Sequence, residues 1–161
     1  MRAAIKKMLG LSGLTIAMGK LLDQVDDLTW TMSPQWRLAL LDRPRYRDTR
    51  RLCHHEYQVF SQNGEDGCLA EVFRRIGVTN RYFVEFGAGD GLENNTSHLL
   101  LGGWSGLWIE VDLPSCEKIR TGMQRLLRSQ RLLLTNARVD IDNIEHLFQD
   151  AGVPQRFDLL S

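Results

Sequence analysis

Three glycines at alternate positions, Gly87, Gly89 and Gly91, follow directly on the apolar run Tyr82-Phe-Val-Glu-Phe86, with Glu85 two residues ahead of the first. A backbone needs glycine where φ is positive or where a ligand lies in contact with the main chain. Packed together after a β-rich run, they predict a nucleotide-type cofactor against a strand-to-loop-to-helix turn. Ala88 and Asp90 stand between the glycines and share that loop. The spacing bears on which cofactor. A dinucleotide fingerprint has glycine or alanine three residues after its second glycine, and that position here is Leu92. An NAD-linked enzyme is therefore a rival that the loop disfavours.

A second apolar run, Trp104-Ser-Gly-Leu-Trp-Ile-Glu-Val-Asp112, ends in carboxylates. Glu110 falls 23 residues after Gly87, close to the roughly 20-residue interval at which doubly wound folds set an acid against ribose hydroxyls. Vicinal hydroxyls donate, and a carboxylate accepts from both. Glu110 is the first candidate and Asp112 the second; the plain alternative is a solvated carboxylate at a strand end.

The glycine loop with Glu85 ahead of it resembles motif I of class I S-adenosyl-L-methionine-dependent methyltransferases. Further segments, Ser61-Gln-Asn-Gly-Glu-Asp-Gly67, Val84 to Gly91, Asn94-Asn-Thr96, Gly103-Trp104 and Leu107-Trp-Ile-Glu110, recur in that order in the FkbM-type methyltransferases. From about Tyr57 to Ser161 the chain resembles that family. The resemblance implies a Rossmann-like sheet, S-adenosyl-L-methionine as cofactor, and methylation of an oxygen, often on a sugar or secondary metabolite. It sets the glycine loop under the methionine part of the cofactor, with Glu85 or Asp90 near its ammonium; the alternative for Glu85 is a carboxylate locked to backbone donors at the strand end. Gln62 and Glu65 are expected at the methionine carboxylate or capping a helix, and Ala137 and Asp140 at the adenine. No residue is assigned as general base. Phe157-Asp-Leu-Leu-Ser161 resembles the opening of the family's fourth strand, which there continues into Asp-x-Asp-Gly. A fragment holding about four strands is expected on that ground, and a truncated, non-catalytic binding module is the second rival.

These residues need a core behind them. The chain has 161 residues, 43% hydrophobic and 25% charged, enough for one modest globular domain. Twenty basic and twenty acidic side chains cancel, so composition predicts no nucleic-acid affinity. Cys53, Cys68 and Cys116 are widely spaced and form no CxxC pair; free thiols in a reducing, cytoplasmic setting fit, and a disulfide frame or metal site does not. His54 and His55 are adjacent to each other and lack a second ligand cluster. His98 follows the glycine loop and is expected to be packed or on the surface rather than a base.

The first fifty residues read as an extension, giving a division into 1–52, a helical segment and basic linker, and 53–161, the partial cofactor-binding domain. Met8 to Met18 is mostly apolar but closes at Lys20, too short at about 11 residues to span a bilayer. Leu14, Met18, Leu21, Leu22, Val25 and Leu28 recur at helical spacing. They predict an amphipathic helix that packs on the domain or forms a homodimer, with a secretory signal or an interfacial membrane helix as the alternatives. Ser33-Pro34 starts a short helix through Leu41, followed by an arginine-rich connector to Arg51.

Beyond it the pattern predicts a helix capped by Ser61, with Leu69, Val72, Phe73 and Ile76 on its apolar face and Gly77 as its end. Strands are expected over about 82–86, 106–110, 131–135 and 157–161. The intervening helices open at Asn94 or Asn95, at Pro114 (running to about Leu127) and at Ile144. This alternation specifies an α/β doubly wound sheet with parallel strands.

Overall fold

The computed structural model describes residues 42–161 together with Ala39. The expected amino-terminal helices lie outside the described residues, apart from Ala39, which is helical; so does the expected dimer contact. The chain divides into two compact units between Thr49 and Arg50. In the first, Pro44–Arg47 forms a single helical turn, α1, with proline at its start, where a missing N–H costs nothing.

The second unit is a Rossmann-like α/β fold. Its strands are β1 (Tyr82–Phe86), β2 (Ser105–Glu110), β3 (Leu132–Asn136) and β4 (Leu159–Leu160). They form one all-parallel sheet in the order β3-β2-β1-β4. Tyr82 registers with Ser105, Gly106 with Leu132 and Phe83 with Leu159. Around it lie α2 (Glu65–Ile76), α3 (Ser97–Leu101), α4 (Leu113–Gly122), α5 (Gln124–Arg128) and α6 (Ile144–Asp150). A 3-10 turn over Leu52–His55 precedes α2.

Period-two alternation explains the two faces of the sheet. Phe83, Trp108 and Leu132 project to one side, where Ala88, Leu99, Leu100, Trp104 and Ile119 complete a buried cluster. Val84, Leu107 and Ile109 project to the other, under Leu147, Phe148 and Phe157. Gly106 lets β2 lie close to β1: a Cβ there would stand 2.4 Å from the Phe83 ring.

Several boundaries differ from the sequence pattern. Ser61 is not the N-cap of α2; Gly64 is, at φ +91°. The Ser61 hydroxyl instead accepts from Asp66 N, while Asp66 Oδ2 accepts from the amides of Val59, Phe60 and Ser61. Burial alone would raise Asp66, but those hydrogen bonds outweigh it and hold the carboxyl below its ordinary value. The strongest burial on α2 falls on Asp66, Gly67 and Glu71, and Ile76 is exposed, contrary to its expected role in the apolar face. A Cβ on Gly67 would meet His55 O at 2.0 Å, so the small residue lets the preceding turn lie against the helix. The expected single helix to Leu127 is broken at Met123 into α4 and α5. Asn94 and Asn95 do not open α3, which begins at Ser97, because their groups are drawn into a network around Glu85.

Candidate functional site

Strand order reverses between β1 and β4, and in such sheets ligands bind beyond the carboxyl ends of the strands at that point. There a cleft of about 430 Å³ opens, within the range of roughly 300–1,000 Å³ typical of small-molecule sites. Its floor is Phe86, Gly87, Ala88, Gly89 and Asp90; Gln62 and Glu65 come from the approach to α2; Glu93, Asn94 and Asn95 follow the loop; Ser161 follows β4.

The three glycines all have positive φ, at +68°, +57° and +83°, yet they do different things. A Cβ on Gly87 or Gly89 would meet nothing within 4 Å, so both present bare backbone to open space. A Cβ on Gly91 would strike the Trp108 ring at 2.8 Å, so that glycine serves packing. Gly91 accordingly does not line the cleft.

Glu85, although it lines the cleft, is buried and fully engaged. Its Oε1 accepts from Asn95 N at 3.1 Å, and its Oε2 accepts from Asn94 Nδ2 at 2.9 Å, Thr96 N at 3.3 Å and the Thr96 hydroxyl. Trp108 Nε1 donates to Thr96 Oγ1 at 2.7 Å. The chain from Asn94 to Thr96 is thus wound around one carboxylate. A buried charge of this kind is tolerable only when its lone pairs are satisfied.

Glu110 is likewise buried, and its carboxylate bridges two loops. Oε2 accepts from Gly89 N and Oε1 from Asp112 N, each at 2.7 Å. With two oxygens and about four acceptor positions, the group keeps capacity beyond these bonds. Asp112, the second ribose candidate, caps α4: its Oδ2 accepts from Ser115 N and Ser115 Oγ. Those bonds lower its pKa against a small opposing effect of burial. Ala137 lies after β3 and donates its amide to Glu110 O at 3.1 Å. Asp140 accepts from the amides of Asp142 and Asn143 in the turn before α6.

The structure therefore gathers Glu85, Gly87, Ala88, Gly89 and Asp90 at the cleft with Gln62 and Glu65. Glu110 stands one hydrogen bond behind it, and Asp112 and Ala137 lie on neighbouring loops outside its lining. Phe86, Glu93, Asn94, Asn95 and Ser161 complete the lining. The sequence reading did not single out Glu93; its signal was an acid two residues after the last loop glycine. Val111 and Leu113, beside Glu110, are apolar side chains more than half exposed. His98 turns away from the cleft, its Nε2 paired with Tyr57 Oη at 3.0 Å, and lines a separate apolar cavity with Phe73 and Trp104. No group of three or more metal-ligating side chains is found among the described residues, and none of their helices is long and apolar enough to cross a membrane.

In comparisons with known proteins, no family model, no curated protein and no solved structure matches this chain.

Proposed function

We propose that the chain binds S-adenosyl-L-methionine in the β1–β4 cleft and serves methyl transfer to a hydroxyl of a small-molecule or glycan acceptor, in the cytoplasm. The observation that carries this reading is the charge of the cleft. Glu65, Glu85, Asp90 and Glu93 line it, and among the described lining residues there is no lysine or arginine. Such walls favour a ligand bearing a sulfonium and an ammonium and oppose the pyrophosphate of NAD. A dinucleotide also needs a helix N-terminus directly after the glycine loop to meet its phosphates. Here residues 92–96 intervene before α3, which has only five residues.

The resemblance to FkbM-type methyltransferases points the same way. Bound in the cleft, the cofactor would supply an electrophilic methyl group. The chain's own part is to orient it. Gly87 and Gly89 allow close approach of the backbone; Glu110 has acceptor capacity for ribose hydroxyls; Val111 and Leu113 offer apolar surface beside it for the base. Holding the reacting groups in line is worth several kcal/mol of barrier.

Calorimetric titration of the 161-residue chain with S-adenosyl-L-methionine, and separately with NAD, tests the proposal. Saturable binding of the former alone is expected. Binding of NAD alone, or of neither by a chain that melts cooperatively, would overturn it.

A further inference from the structure

The carboxylates at the cleft are not equally available. Glu85 accepts from four donors. Glu65 accepts from Asn63 N at 2.8 Å and from Asn63 Nδ2 at 3.3 Å, one on each oxygen. Asp90 accepts from Leu92 N at 3.3 Å and stands 3.5 Å from Lys118 Nζ. Glu93 differs: among the described residues its one hydrogen bond is from Gln62 Nε2, at 3.1 Å to Oε2. Both partners are exposed, both line the cleft, and they reach it from different loops. The pair is therefore easily exchanged, because water competes for both groups and little burial holds them together.

From this accounting we infer that Glu93 and Gln62 grip the amino-acid end of the ligand. The inference rests on the S-adenosyl-L-methionine reading, in which Gln62 is already expected at the methionine carboxylate, and adds Glu93 as its partner for the ammonium. An α-amino acid terminus carries an ammonium donor beside a carboxylate acceptor. A carboxylate facing an amide NH₂ is its complement: the ammonium donates to Glu93 and the carboxylate accepts from Gln62 Nε2. The protein–protein bond between the two side chains is replaced by two charge-assisted bonds to the ligand. Of the two residues expected near the ammonium, Glu85 is committed to shaping the loop and Asp90 already faces a lysine.

Two neutral thioethers isolate this end of the ligand. S-Adenosylhomocysteine carries the amino acid; 5′-methylthioadenosine has the same nucleoside and sulfur without it. In titrations of the full chain, Glu93→Gln is expected to weaken S-adenosylhomocysteine about tenfold or more, leaving 5′-methylthioadenosine within about twofold, as the loss of a hydrogen bond between charged groups implies. Gln62→Ala should weaken the former in the same sense but less. A thermal melt of each variant confirms folding, which two exposed loop side chains do not control.

If Glu93→Gln binds both compounds as the native chain does, or loses both equally, the inference is overturned while the cofactor reading stands. The same holds if the native chain binds both with equal affinity. If the native chain binds neither compound, the cofactor reading falls and the inference falls with it.

Discussion

At the scale of single residues, the glycine loop separates roles that look identical in sequence. Gly87, Gly89 and Gly91 alternate, and all have left-handed backbone. Only the last meets a side chain, the Trp108 ring. Placing alanine in a left-handed conformation costs about 1–2 kcal/mol, and overlap with a packed neighbour adds roughly 1–3 kcal/mol. Gly91→Ala should therefore lower the urea midpoint more than Gly89→Ala. Gly89→Ala should fold yet lose most of its affinity for S-adenosyl-L-methionine, since its methyl occupies the open side of the loop. Equal stability losses with unchanged affinity in Gly89→Ala would show that the open space is not a ligand's. Glu110 is buried and holds Gly89 N and Asp112 N; in the proposed complex its remaining acceptor positions take the ribose hydroxyls.

At the scale of elements, β1 and β2 were legible because both are short apolar runs bounded by polar or glycine residues, and the structure keeps them within one residue of expectation. Helix starts were not. Ser61 has the residue type of a cap, but Asp66 collects three backbone amides and draws the chain into a loop that delays α2 to Glu65. Asn94 and Asn95 were similarly diverted by Glu85. Hydrogen bonding to a buried carboxylate 5 to 11 residues along the chain leaves no periodic signal, so a pattern of local caps cannot foresee it.

The same kind of tie fixes the approach to β1. Asp158 accepts from Thr79 N, Thr79 Oγ1, Asn80 N and Arg81 N, joining residues 79–81 to the start of β4. Burial would raise this carboxyl, but those bonds prevail and pull it to about 2 from an ordinary 3.8. Hydrogen bonds from Arg74 and Arg75 hold Glu71 at about 2 as well. A carboxyl lowered in the folded state is protonated more readily when unfolded, so its stabilisation is present above the ordinary value and fades as pH falls toward 2. Thermal melts should show the native chain losing stability between about pH 4.5 and 2, with a smaller loss in Asp158→Asn. An equal pH dependence in the two proteins would contradict this role for Asp158.

At the scale of the whole molecule, strand order turns a local motif into a site. The sheet runs β3-β2-β1-β4, so the glycine loop after β1 faces the end of β4 and a cleft forms where the order reverses. The parallel pairing followed from the β-α alternation and was readable in advance. The acidity of the cleft was not: the chain carries no net charge, and only folding brings Glu65, Glu85, Asp90 and Glu93 to one wall-set. The central claim is that this cleft holds S-adenosyl-L-methionine. The most direct test is amide-resolved NMR of the isotopically labelled chain during titration with that compound. The account predicts saturable shifts at Gly87, Gly89, Glu93 and Asn95, with the amides of α6 unmoved. Saturable shifts confined to the cavity around Phe73, His98 and Trp104, or no saturable shift at all, would contradict it.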